Sequence, residues 1–260
     1  MKRRTSPIAF LTMILLGTIS GCSAGGENPA DIPLPQGSEP MTLDPSAFST
    51  VIDNAYWPMK PGTRWVYREI DGDGTEFTAV VTVTFDTRVI QGITARVIRD
   101  TVFRGDQIVE DTFDWYAQDH DGAIWYLGEQ TAEFENGEVA STGGSFEAGV
   151  DGALAGIALP GDPRVGMIYR QEYLAGEAED NGAVVSVDEL VGVPAGSYRD
   201  VLMTRDTVAI EPDVAELKFY APGIGPVLSL DTSGGSGRSE LLRIETVPEG
   251  TGVGPLGQPD

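Results

Sequence analysis

Thr75-Glu76-Phe77-Thr78-Ala79-Val80-Val81-Thr82-Val83-Thr84-Phe85-Asp86 alternates with a period of two. Phe77, Ala79, Val81, Val83 and Phe85 fall on one face, and Thr78, Thr82 and Thr84 on the other. Successive side chains of a strand point to opposite faces, so the stretch predicts a β-strand with one buried side. Working outward, strand-like runs recur at Arg64–Ile70, Ala95–Arg104, Gln107–Gln118, Ala123–Glu129, Ile168–Ala175, Val184–Val191, Asp200–Ala209, Ala215–Ala221, Pro226–Asp231 and Ser239–Val247. Turn signals lie between them, among them Asp71-Gly72-Asp73-Gly74, Gln91-Gly92, Asp121-Gly122 and Asn136-Gly137. Links this short demand antiparallel neighbours. The prediction is an all-β, mainly antiparallel domain over residues 47–247, a meander forming a curved sheet, half-barrel or barrel. No stretch carries a long helical period, and a helical turn is expected only near Ala47–Asn54.

Ser141–Pro163 (STGGSFEAGVDGALAGIALPGDP) interrupts the alternation. It is Gly-rich, and its apolar residues Phe146, Val150, Leu154, Ile157 and Leu159 predict a loop docked on the core, with room for a short helix. A weak internal repeat relates residues 60–130 to 164–231. Gly62-Thr63-Arg64-Trp65 matches Gly166-Met167-Ile168-Tyr169, Gly92-Ile93-Thr94-Ala95 matches Gly192-Val193-Pro194-Ala195, and Trp115-Tyr116-Ala117 matches Phe219-Tyr220-Ala221. The expectation is two similar half-sheets joined by the Gly-rich segment.

The 260 residues hold 17 Lys and Arg against 40 Asp and Glu, a formal charge of −23. Such a chain repels phosphate backbones, so nucleic-acid binding through a basic patch is not expected. The single Cys precludes an intrachain disulfide and a multi-cysteine zinc site.

At the N-terminus, Lys2, Arg3 and Arg4 precede an apolar run from Ile8 to Leu16, too short to span a bilayer as a permanent helix. The run leads to Ile19-Ser20-Gly21-Cys22, an aliphatic residue, two small residues and then Cys. In this region the chain resembles bacterial lipoprotein precursors. The resemblance implies a signal peptide over residues 1–21, cleavage before Cys22 and acylation of Cys22. It implies a bacterial cell-envelope location with the lipid as partner, in the outer membrane or on the outer surface of the cytoplasmic membrane; Ser23 favours the former in enteric-type bacteria. Loss of the three basic residues leaves the mature chain at −26, a charge that anionic headgroups repel, so a spacer is needed. Residues 22–46, rich in Pro, Gly and Ser, are expected to be that flexible tether, and Pro248–Asp260 a disordered tail. Val193-Pro194-Ala195-Gly196-Ser197-Tyr198 and Lys218-Phe219-Tyr220-Ala221-Pro222-Gly223-Ile224-Gly225-Pro226-Val227 also look like segments of uncharacterised β-rich bacterial envelope proteins. That likeness carries over no catalytic residues.

Chemistry is sparse. His120 lies in Asp119-His120-Asp121-Gly122, a hairpin tip whose flanking acids point away from it, which predicts an exposed turn histidine. There is no G-x-S-x-G, Walker loop or strand-to-helix G-x-G-x-x-G. Asp71–Glu76 begins like a calcium loop but has Glu where Gly is required and no Glu at position twelve, and Glu177–Asn181 is a second acidic turn; both read as solvated tips. No catalytic residue, metal ligand or cofactor is assigned, and Cys22 is the site residue. Adjacent aromatics such as Trp115-Tyr116, Trp125-Tyr126 and Phe219-Tyr220 must point to opposite faces, so one of each pair needs a cavity, an interface or a covering loop. That feature favours a non-enzymatic domain binding an apolar, glycan or protein ligand. The rival expectations are a carboxylate-based hydrolase of glycans or esters and a passive structural lipoprotein.

Overall fold

The computed structural model describes residues 34–232 and 237–258. The expected signal peptide, Cys22 and the first part of the expected tether lie outside the described residues, as do residues 259–260. The fold is all-β: sixteen strands in one antiparallel sheet that curls into a barrel, closed but for one seam, with almost no helix.

The expected strands are present, several of them longer than the alternation marked, except that Ile168–Ala175 is two short strands broken at Gln171. After a 3-10 turn at Pro45–Ala47 come β1 (Phe48–Ser49), β2 (Thr63–Ile70), β3 (Glu76–Ile90), β4 (Ile93–Arg104), β5 (Gln107–Asp119) and β6 (Ile124–Glu135). The middle of the chain gives β7 (Glu138–Ser141), β8 (Phe146–Glu147), β9 (Leu154–Leu159), β10 (Ile168–Arg170) and β11 (Glu172–Tyr173). The meander resumes with β12 (Asp180–Val193), β13 (Gly196–Val208), β14 (Glu211–Ala221), β15 (Gly225–Asp231) and β16 (Arg238–Thr246). The wall runs β10, β12, β13, β14, β15, β16, β2, β3, β4, β5, β6, β9, β11. Hence the last strand, β16, pairs with β2 and joins the two halves of the chain. Hairpin turns follow the chemistry expected of them: Gln91 and Gly92, and Asn136 and Gly137, all have positive φ, as a two-residue turn matched to strand twist requires.

Three expectations are corrected. Ser141–Pro163 is not a docked loop with a helix. It contains β8 and β9, and β9 is part of the barrel wall, pairing β6 on one side and β11 on the other. Its Leu-Ala-Gly-Ile-Ala-Leu sequence lacks alternation because all but Leu154 are buried, so both faces must be small or apolar. Gly156 is required there, since a Cβ would press into the carbonyls of Arg170 and Gln171. The flexible tether does not extend to residue 46: Leu34, Met41, Leu43 and Phe48 pack against the core, and Arg170 N donates to Pro35 O at 2.7 Å. Nor is residue 248 the start of a disordered tail. Residues 248–258 cross the outer face of β4 and β5, where Arg99 donates to the carbonyls of Gly254, Pro255 and Gln258, and Gly257 N donates to Asp111.

The tail docks on a buried ion pair. Arg99 Nε and Nη2 donate to the two oxygens of Asp111 at 3.0 and 2.6 Å, with side chains 4% and 0% exposed. The Thr101 hydroxyl donates to the same carboxylate at 2.8 Å. Full pairing is what makes such burial tolerable.

The two stretches that resemble each other hold corresponding features. Gly62 N donates to Val83 O at 2.8 Å, and Gly166 N to Val184 O at 2.9 Å. Register shifts fall at Trp115/Tyr116 against β6 and at Phe219/Tyr220 against β15.

Gly156→Val should lower stability by about 3 kcal/mol, the upper end of overpacking costs, because the obstruction is backbone. Gly105→Ala, at φ 62 with open space around it, should cost only about 1 kcal/mol. Denaturant midpoints of the two variants check this. Deleting residues 249–260 should lower stability by about 1–3 kcal/mol through the bonds stripped from Arg99, and Asp111→Ala by about 3–5 kcal/mol.

Candidate functional site: a carboxylate and tyrosine lumen

Register and alternation define which residues face the barrel interior. On β2 these are Trp65, Tyr67 and Glu69; their partners continue around the wall as Val81, Ala79 and Phe77 on β3. Next come Ile98, Asp100 and Val102 on β4, then Glu110, Thr112, Asp114 and Tyr116 on β5. The far wall supplies Thr204 and Asp206 on β13 and Glu216, Lys218 and Tyr220 on β14. One end is thus aromatic and the other acidic.

The aromatic end is shut. Trp57, carried in by the segment after β1, lies 5.5 Å from Tyr116 and 5.6 Å from Tyr220, ring centroid to centroid. Tyr126 stacks on Tyr116 at 4.8 Å. Trp65 Nε1 donates to Ile224 O and the Tyr67 hydroxyl to Pro226 O, both at 2.9 Å. The other end opens into a cavity of about 360 Å³ whose lining includes Glu69, Phe77, Val102, Glu110, Glu216 and Asp231. That volume suits a small organic ligand.

The paired aromatics divide as geometry demands. Tyr116, Tyr126 and Tyr220 point inward. Trp115 turns out beneath the guanidinium of Arg88, 4.1 Å from its ring centroid. Trp125, 0% exposed, is covered by Phe48 at 5.9 Å and donates through Nε1 to Asp119 at 2.7 Å.

Between the two ends the lumen is acidic, and it leaves room around Lys218. Lys218 sits inside the wall with 35% of its side chain accessible, 3.0 Å from Asp206 and 3.4 Å from Glu216. Burial alone would lower its pKa, but these carboxylates outweigh it and hold the ammonium well above its usual range. On the facing wall the Tyr126 hydroxyl lies 2.7 Å from both an Asp114 and a Glu129 oxygen. A phenol has one hydrogen to donate, so the second contact needs a protonated carboxyl donating to the phenol oxygen. The pair therefore keeps a proton. Burial accordingly pushes both carboxyls up, against the hydrogen bond from Tyr126. Glu172 is pushed up to about 9, first by burial and then by Asp180, Glu129 and Asp114; Asp180 is raised to about 6, chiefly by burial, with Lys218 opposing.

Two polar atoms of this interior have no hydrogen-bond partner among the described residues: the Tyr169 hydroxyl, on a side chain 0% exposed, and Asp100 Oδ1. The Tyr169 ring lies over Gly182, where a Cβ would touch it, and Gly182 pairs with Asp206 on the lumen face of β13.

The residues singled out in the sequence lie elsewhere. His120 is exposed at the β5–β6 turn, and its backbone N–H donates to Ala47 O at 3.0 Å. In the Asp71–Glu76 turn the carboxylates serve their own backbone: Asp71 accepts from Asp73 N and Thr75 N, and Asp73 from Thr75. Glu179 accepts from Gly176 N at 2.9 Å. Among the described residues no group of three or more His, Cys, Asp or Glu is placed to hold a metal ion. Sequence reasoning missed the lumen acids, though a signal existed. Asp100 shares its phase with Ile98 and Val102, and Asp114 with Tyr116, so acids occupy positions where alternation expects apolar side chains.

The raised carboxyls predict an inverted pH dependence. A carboxyl whose folded pKa exceeds its unfolded value binds more protons in the native state, so stability falls as pH rises between the two. For Glu172 that window runs from about its ordinary 4.5 to about 9. Glu172→Gln should therefore gain on the natural chain with rising pH, by at most about 1.4 kcal/mol per pH unit. Urea denaturation at pH 5, 6.5 and 8 measures this; parallel curves for the two proteins would show that Glu172 stays ionised.

No family profile and no curated protein matches this sequence. Two solved structures are similar over most of the chain. One, described as an exported protein with a YmcC-like fold from Bacteroides fragilis NCTC 9343, is 15% identical and covers 74% of this chain and 99% of its own, with a TM-score of 0.41. The other, described as a lipoprotein from Parabacteroides distasonis ATCC 8503, is 11% identical and covers 73% and 98%, with a TM-score of 0.37.

Proposed function

We propose that this protein is an envelope lipoprotein, anchored by acyl chains on Cys22, whose barrel binds a small ligand without transforming it. The observation that carries the binding role is the lumen, shut by Trp57 at one end, open at the other and with the Lys218 side chain between them still partly accessible. A passive structural domain has no use for buried polar groups that packing leaves unpaired, since each costs about 1–3 kcal/mol. Retaining them is the usual mark of a site that trades stability for recognition. The anchor rests on Ile19-Ser20-Gly21-Cys22 at the end of a short apolar run. Several acyl chains hold a protein stably at a membrane because each buried methylene contributes about 0.8 kcal/mol.

Expression of the full chain in a bacterium that processes lipoproteins tests the anchor. The natural chain should take up labelled palmitate and sediment with membranes, whereas Cys22→Ser should do neither. Palmitate incorporation by the Cys22→Ser chain would refute the assignment. The binding role is checked by native mass spectrometry of the mature protein in non-ionic detergent. A small-molecule adduct is expected, and Tyr116→Ala together with Tyr220→Ala should remove it.

A further inference from the structure

The lumen acids are spread out. Glu110 and Asp114 stand four residues apart on β5, about 13 Å along the strand, and face Glu133 and Glu129 across the β5–β6 pair. The opposite wall holds one such pair, Asp206 beside Glu216 on β13 and β14, with the Lys218 ammonium against both. These acids line the lumen from the mouth inward, Glu110 and Glu216 at the mouth and the Asp114–Glu129 pair, which shares a proton, deeper in. Among the described residues no group of three or more His, Cys, Asp or Glu is placed to hold a metal ion. Between the charges the surface is apolar or aromatic, with Phe77 and Val102 at the mouth and Tyr116 and Tyr220 at the floor.

We propose that the lumen binds a linear aliphatic polyamine, lying lengthwise between these two acidic walls. The proposal rests on the lumen being a binding site, as argued above. A chain of ammonium groups spaced by methylenes matches both features: its charges meet successive carboxylates, and its methylenes lie on Phe77, Val102 and the tyrosine rings. Ammonium groups also sit favourably over tyrosine faces. The unpaired Asp100 Oδ1 supplies an acceptor, and the Tyr169 hydroxyl a second, both facing the interior. Lys218 already shows the mode of recognition, its ammonium held by Asp206 and Glu216. The mouth acids Glu110 and Glu216 select cations at entry.

Isothermal titration of spermidine into the mature full chain in non-ionic detergent, at pH 7.5 and 150 mM NaCl, tests this. A single saturable site is expected. Glu110→Gln and Glu216→Gln should each weaken it about ten-fold, the equivalent of one lost charge-assisted contact. Asp73→Asn and Asp162→Asn, on exposed turns, should leave it unchanged, and hexane-1,6-diol should not bind. Magnesium chloride matched in charge should compete poorly. Heats that are unsaturable, or that respond equally to the exposed-turn variants, would reduce the effect to counter-ion attraction by an acidic protein and overturn the proposal. Maltotriose and dodecanoate separate the two levels of inference. If either binds in a manner lost on Tyr116→Ala while spermidine does not, the polyamine assignment fails and lumen binding stands. If none of the three binds, both fail.

Discussion

The barrel depends on one side chain at the point where it closes. Residues 168–173 pair first with β12 and then, past Gln171, with β9, so a single short segment bridges the two ends of the sheet. Arg170, 1% exposed, lies at the changeover. Its Nε and Nη2 donate to Ala155 O on β9, while Nη1 donates to Gly37 O and Glu39 O at 2.7 and 2.8 Å. One guanidinium thus ties β10, β9 and the N-terminal segment together where backbone pairing is thinnest. A planar donor fork reaches three carbonyls from fixed directions, which a lysine could not do. The glycine at 156 is the complementary half of this joint, allowing the chains to approach closely enough for the bonds to form.

The apolar core is displaced by this architecture. Much of it lies outside the wall, where residues 34–59 cover Trp125 and its neighbours, or at the shut end around Trp57 and Trp65. Inside the wall, charged and phenolic groups share the interior with Ala79, Val81 and Ile98. The interior tolerates so many acids because the closest of them share protons, as the doubly contacted Tyr126 hydroxyl requires, and because the Lys218 ammonium neutralises part of the charge on Asp206 and Glu216. Burial, then like charge, raises Glu129 and Glu172, to about 8 and about 9, which lessens the repulsion among the interior acids.

Alternation made most of the wall readable because Thr63–Ile70 and Glu76–Ile90 keep lumen-facing residues in one phase. Burial does not follow that phase alone: Val66 is buried as well, Thr82 and Thr84 lie beside Gly252 of the C-terminal segment, and Phe85 is 39% exposed. Alternation failed at Leu154–Leu159 for a physical reason: a strand covered on both sides loses its period and, with Gly and Ala in it, looks like a loop. The ends were misread for a different reason. Pro- and Gly-rich segments have no pattern of their own, and their order comes from distant partners, Arg170 for residues 35–39 and Arg99 for residues 254–258. The lumen was hidden by abundance. Forty acids mask the few that stand in phase with core residues, and only pairing register shows that Asp114 and Glu129 belong together while Asp71 and Asp73 merely brace a turn.

The docking of the N-terminal segment has a geometric consequence. Pro35, Gly37 and Glu39 are fixed beside the closure, so a chain acylated at Cys22 leaves the domain from that side. From residue 22 to residue 34 a fully extended backbone reaches at most about 40 Å. Under the proposed anchoring this lever is no longer than the domain is wide, roughly 45 Å for a chain of this size, and it is attached off-centre. A body pulled by one flank toward a surface settles with a preferred tilt, so the barrel axis would be steered in orientation rather than left to tumble freely.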